Sequence, residues 1–503
     1  MPAPDQRRTI RERLAREAGR LEKRAPFTVG LVYPSPYAVG MSSLGYQRIY
    51  RALMDAPGLG CERIFLPDTA SAAASPAEAA LSYESLRPLS AFPLLAVSLA
   101  FELELSSLVR MLDAAGIPAL ARERDERHAV VLAGGPLTFS NPVPAGALVD
   151  AIVLGEGETL AVSCVEAVRD APSRREALAR LAALPHVWVP SLHGEALPPL
   201  SQVDDALLPA TSTIVTPDAE LSDMFLIEPE RGCSRGCTYC VMRRTTNGGM
   251  RLVPPEVVLE RIPAGARRVG LVGAAVSDHP RIVEIVSALA DRGLEAGLSS
   301  LRPERLRPEL VAALRRVGYR TLTTALDGAS QRLRDVIERR SREAHYVQAA
   351  ELAREHGLER LKLYLIVGLP SETDADLDEC ARFVGELSRI VPVALGISPF
   401  VAKRRTPLDA LPFAGVRVVD QRLARLRGKL RGRADTRATS ARWAWVEHVL
   451  AQGGLAEGLA LCDATRAGAA WSDFRRCFAA LGHQPEPPGG ALGRDVRASA
   501  GNR

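Results

Sequence analysis

Aromatic side chains make up only 5% of the 503 residues, and lysine is scarcer still: Lys23, Lys362, Lys403 and Lys429 stand in a total of 64 basic residues. Arginine is therefore the default surface cation. It is dispersed among 59 acidic residues and gathers in no basic stripe with interleaved aromatics, which argues against a nucleic-acid surface. The net charge of +5 is small for this length. No apolar run approaches the ~20 residues of a membrane span. The longest, 92–101, is strand-length and broken by Ser98. Arginine is dense over 7–24, but Glu12, Glu17 and Glu22 are mixed in. A targeting peptide would lack these acids or carry an apolar core, so the stretch reads as a solvated helix and the expected location is cytoplasmic and reducing. Cys61, Cys164, Cys380, Cys462 and Cys477 are scattered singly, which excludes a disulfide framework.

The remaining cysteines lie together in Arg231-Gly232-Cys233-Ser234-Arg235-Gly236-Cys237-Thr238-Tyr239-Cys240. Three thiolates at that spacing can hold three corners of an iron–sulfur cube. Electron-transfer clusters take four cysteines, so a missing fourth ligand leaves one iron open, as the free position does in a catalytic metal site. The competing reading is a zinc-binding interaction module without catalysis. Tetrahedral zinc needs a fourth Cys or His nearby, and the next histidine is His279.

The length predicts two or three domains. Residues 1–27 form the basic helix, and 28–171 alternate short apolar runs with amphipathic stretches, the pattern of βα units around a parallel sheet. Expected strands are 28–33, 94–99, 128–133 and 148–154, with helices at 44–54, 102–115 and 158–168, giving a doubly wound, Rossmann-like α/β domain. Residues 172–222 are proline-rich and irregular and read as a linker. Over 223–420 six strands follow, at 225–228, 268–272, 296–300, 321–325, 361–367 and 393–398, separated by helices: a partial (βα)6 barrel of the TIM type. Residues 421–483 read as helical and 484–503 as a disordered tail.

The CxxxCxxC spacing, with Tyr239 before the last cysteine, resembles the signature of the radical S-adenosylmethionine (SAM) superfamily. The strand ends extend the resemblance: Gly273-Ala274-Ala275, Ser299-Ser300-Leu301-Arg302, Ala325-Leu326-Asp327-Gly328, and Val367-Gly368-Leu369-Pro370. So do Ala133-Gly134-Gly135-Pro136 and Gly155-Glu156-Gly157-Glu158 in the N-terminal part, which is similar to cobalamin-binding domains. The resemblance implies a 4Fe-4S cluster on Cys233, Cys237 and Cys240, with SAM chelating the open iron. It implies SAM contacts from Tyr239, from Gly273, Ala274 and Ala275 near the amino group, from Ser300 and Arg302 at the carboxylate, from Asp327 at the ribose, and from Val367 and Gly368 at the adenine. Lys403 is expected to face the substrate. Where the family pattern at 273–275 has two glycines and an acid, only Gly273 matches, and Asp327 stands where relatives carry Glu.

The implied activity is reductive cleavage of SAM to a 5'-deoxyadenosyl radical, with an electron from flavodoxin or ferredoxin, on a substrate the sequence does not name. A cobalamin-dependent radical SAM methyltransferase is the alternative, with cobalamin as a candidate cofactor. Residues 34–39 lack the histidine of the lower-ligand motif, so cobalt would bind without one. A methylthiotransferase is disfavoured, because residues 28–171 hold only Cys61 and Cys164 in place of a second cysteine trio.

Overall fold

The computed structural model describes residues 4–68, 79–243, 248–299 and 301–487. They form two compact units, 4–225 with 449–483 and 226–448 with 484–487, and the rest of the tail expected over 484–503 lies outside the described residues. Strands of the first unit are β1 (Phe27–Tyr33), β2 (Leu59–Phe65), β3 (Leu94–Ser98), β4 (Val130–Gly134), β5 (Ala151–Val153) and β6 (Val187–Trp188). They lie in the order β2-β1-β3-β4-β5-β6. The first five are parallel, in the 2-1-3-4-5 order of doubly wound folds, and β6 is antiparallel to β5. β1 is buried on both faces from Val29 onward, as a central parallel strand must be. Helices Leu44–Asp55, Glu104–Ala114 and Glu158–Arg169 fall where three- and four-residue apolar spacing puts them. Ser43 caps the first by accepting from Tyr46 N.

Departures from the sequence reading have physical reasons. β2 contains Arg63, a charge that hides a buried strand; its guanidinium is 1% exposed and pairs with Glu17 at 2.7 Å and Glu84 at 2.6 Å. Within 172–222, Arg174–Ala183 is a helix capped by Ser173, and β6 joins the sheet. The alanines and leucines of that helix are strong helix formers and precede the prolines. At the other end of the chain, helices Leu455–Ala467 and Trp471–Ala479 belong to the first unit. There Asn141 Nδ2 donates to the carbonyls of Leu450 at 3.0 Å and Gly453 at 2.8 Å. Gly458 lies so close to the Pro144 carbonyl that a Cβ would overlap it.

In the second unit β7 (Met224–Ile227), β10 (Arg268–Leu271) and β11 (Glu295–Leu298) form one sheet. β12 (Thr321–Asp327), β13 (Arg360–Val367), β14 (Val393–Pro399) and β15 (Asp435–Ala438) form a second, parallel throughout. All six expected strands are present in order, and Leu301 N donates to Thr323 O at 2.8 Å across the step between the sheets. β15 corrects the expectation that 421–483 is wholly helical: after helix Val416–Leu430 the polar run Asp-Thr-Arg-Ala pairs beside β14. Its polarity suits an edge strand. A hairpin of β8 (Glu230–Gly232) and β9 (Met250–Leu252) flanks the cysteine loop. Among the described residues no helix is long and apolar enough to cross a membrane.

Candidate cofactor site

The cysteine loop leaves β8 and is held by the segment after helix Gln331–Val336. Thr238 N donates to Ile337 O at 3.1 Å, and the Cys237 thiol points at Glu338 O at 3.9 Å. Tyr239, within the loop, donates from its hydroxyl to Asp327 Oδ2 at 2.7 Å, and Arg339 Nε reaches the same oxygen at 2.6 Å. Asp327, Glu338 and Arg340 all have φ between +53° and +60°, a cluster of left-handed non-glycine residues around the loop. Such strain collects at functional sites.

Cys233 and Cys237 are buried and Cys240 is partly so. Burial pushes the Cys240 thiol up to about 11, and the charges of Cys237 and Cys233 add to it. Burial also raises Cys237, against the Arg339 and Arg302 guanidinium groups, which favour its thiolate. Among the described residues no His, Cys, Asp or Glu trio closes on a single ion-sized point. The donor set of three thiols without carboxylate or imidazole fits an iron–sulfur cluster, in which each sulfur binds a different iron.

Arg302 comes to the cysteine loop. Its Nη2 lies 3.2 Å from Cys233 Sγ and its Nε 3.1 Å from Asp278 Oδ2, while Nη1 is buried without a hydrogen-bond partner. Asp278, which the sequence reading passed over, also binds Arg235 and Arg305 and so fixes the basic side of the site. Glu230 is the other residue missed. It is fully buried; its Oε1 accepts from Ala275 N at 2.7 Å, and its Oε2 has no partner. Burial first, then Glu228 and Asp278, push its carboxyl up to about 7. Gly273 is required here because a Cβ would overlap Glu230 Oε1. The acid absent from 273–275 is thus supplied in space by β8. The signal was a glutamate three residues before Cys233, too common a residue to stand out.

Other expected contacts are partly taken by the protein. Asp327 Oδ2 serves Tyr239 and Arg339, the Val367 carbonyl accepts from Phe400 N at 2.8 Å, and Gly368 N donates to Glu372 Oε2 at 2.7 Å. Ala274 is exposed beside buried Ala275, and Ser299 Oγ donates to Gly273 O. Ser300 lies outside the described residues. Lys403 Nζ pairs with Glu447 at 2.8 Å.

Residues 45–190 match the family described as radical SAM proteins, N-terminal, and residues 227–384 the radical SAM superfamily. An uncharacterized protein of Methanocaldococcus jannaschii is 28% identical over 58% of this chain and 64% of its own length. A tRNA-2-methylthio-N(6)-dimethylallyladenosine synthase of Thermus thermophilus is 26% identical over 31% of this chain and 37% of its own. The chain thus spans less than two thirds of either relative. Among solved structures, the cobalamin-dependent S-adenosylmethionine radical enzyme OxsB, with aqua-cobalamin and S-adenosylmethionine bound, is 13% identical with a TM-score of 0.47. That match covers 71% of this chain and 52% of OxsB.

Proposed function

We propose, for a chain whose residues 227–384 belong to the radical SAM superfamily, that the protein is an enzyme that cleaves SAM reductively and uses the resulting radical on a further substrate. The observation that carries this is the pairing of the cysteine trio with two buried, incompletely satisfied groups of opposite charge, Glu230 and Arg302. When bound, the 4Fe-4S cluster supplies the electron that breaks the SAM sulfur–carbon bond and leaves a 5'-deoxyadenosyl radical.

The chain's own residues bind and orient. Cys233, Cys237 and Cys240 hold the cluster, and Tyr239 with Arg339 fixes the loop against Asp327. Arg302 Nη1 takes the carboxylate of SAM, and Glu230 Oε2 takes its ammonium; a guanidinium and a carboxylate are the matching partners of an α-amino acid. Asp278 holds Arg302 in place. Gly273, Ala274 and Ala275 let SAM approach the backbone, Asp327 serves the ribose, and Val367 and Gly368 serve the adenine. The electron comes from a flavodoxin or ferredoxin in the cytoplasm.

The test is anaerobic reconstitution followed by iron analysis and turnover. The expected result is about four irons per chain and 5'-deoxyadenosine from SAM with dithionite, both lost in Cys237→Ala. A triple Cys→Ala protein that keeps its iron and visible absorption sinks the assignment. The parallel 2-1-3-4-5 order of the first unit favours a second reading, cobalamin held at the carboxyl ends of its strands. Electron paramagnetic resonance of the Co(II) form checks it. No nitrogen splitting is expected, since residues 34–39 contain no histidine.

A further inference from the structure

The sheet β12–β15 buries one face and leaves the other open. Along β13, Leu361, Leu363, Leu365 and Val367 are buried, whereas Arg360 and Tyr364 are exposed and Lys362 and Ile366 are half-buried. The same alternation runs through β12 and β14, where Thr321, Thr323, Ala394, Gly396 and Ser398 stay accessible. In a closed barrel that interior is filled by layers of branched side chains. Here the register sets Ala325, Tyr364, Gly396 and Arg437 side by side, with Thr323, Lys362, Ala394 and Asp435 in the row below.

Two features of this face point to a guest. Tyr364 keeps 40% of its surface exposed, and Gly396 makes room for its ring, since a Cβ there would come within 3.0 Å of Tyr364 Cδ1. Lys362 is singular among the four lysines. Lys23 donates to Met54 O at 2.7 Å, Lys403 pairs with Glu447 at 2.8 Å and Lys429 with Asp378 at 2.7 Å. Among the described residues Lys362 Nζ has only the Tyr364 ring, 4.9 Å from its centroid. Arg437 likewise has no acidic partner among the described residues, and Asp435, the one acid of the face, is paired with Arg360 at 3.4 Å. An ammonium and a guanidinium unpaired with any acid among the described residues, with Asp435 held by Arg360 and threonine and serine hydroxyls around them, suit an anion.

We propose that this face binds the anionic group, carboxylate or phosphate, of a small substrate, between Lys362 and Arg437 and against Tyr364. Tyr364 precedes Val367 by three residues, which places the group roughly 10 Å along the strand from the carboxyl end where the SAM contacts gather. A substrate anchored there extends toward that end. Only the word substrate rests on the function proposed above; the anion site itself does not.

The experiment treats the full-length protein with pyridoxal 5'-phosphate, an anionic aldehyde that condenses with an amine and loses water. Borohydride then fixes the imine by adding hydride to carbon while solvent protonates nitrogen, and peptide mass mapping reads the four lysines. Lys362 should label about tenfold faster than the others, a difference equal to ~1.4 kcal/mol. Millimolar pyrophosphate or citrate should slow that labelling, and whichever protects better identifies the anion as phosphate or carboxylate. Arg437→Gln should lose the protection while Lys362 still labels. Even labelling of Lys362 and Lys429, or no protection by either anion, overturns the proposal. SAM cleavage measured on the same preparation keeps the readings apart: protection without cleavage defeats the radical chemistry and leaves the anion site standing.

Discussion

Glu230 is buried and keeps its proton to a higher pH than an exposed glutamate does, and its energetics follow from that. Its carboxyl is raised from the ordinary 4.5 to about 7. A folded value above the unfolded one means that stability is full at low pH and falls as pH rises from about 4.5 to 7, by about 3 kcal/mol in all. Glu230→Gln should therefore be more stable than the parent in urea melts at pH 8 and no different at pH 4. An ammonium at Oε2 reverses the preference. SAM affinity, followed by equilibrium titration, should rise with pH up to about 7 in the parent and stay flat in Glu230→Gln. Arg302→Ala removes the opposite charge from a desolvated pair and should weaken SAM binding by ~2–5 kcal/mol. Unchanged affinity would return Nη1 to a purely structural part.

The cysteine loop and the 337–340 segment behave as one element, each supplying bonds the other lacks. Arg339→Met leaves Asp327 buried without its cation, a loss of ~3–5 kcal/mol by analogy with other broken buried pairs. It should also slow alkylation of Cys237 in the metal-free protein, because the Arg339 guanidinium favours the thiolate. Arg340 is exposed and left-handed at φ +58°, so Arg340→Gly should raise stability by about 1 kcal/mol, read as an upward shift in Tm. Sequence placed the loop and the ends of the strands well, because glycine turns and the cysteine spacing are local. It missed Glu230 and Asp278, whose roles arise only when β8 and the turn after β10 meet. β2 and β15 escaped notice for a related reason: a buried Arg63 and a polar edge strand both break the apolar alternation by which strands are recognised.

On the scale of the molecule, the first unit is discontinuous in sequence, taking 449–483 from beyond residues 226–448 of the second. Gly458→Ala tests how tightly that return is fitted. A methyl group against the Pro144 carbonyl should cost ~1–3 kcal/mol of overpacking. It should lower the melting temperature while leaving the iron content of the reconstituted protein unchanged. The same threading sets an order in time. A ribosome that has finished β6 must still make the whole of 226–448, on the order of ten to forty seconds at ~5–20 residues per second, before the helices that Asn141 anchors exist. During that interval the nascent first unit waits with its docking face uncovered, and a chain released early would carry a complete cysteine loop but a first unit without its last two helices, a natural target for chaperones and proteases.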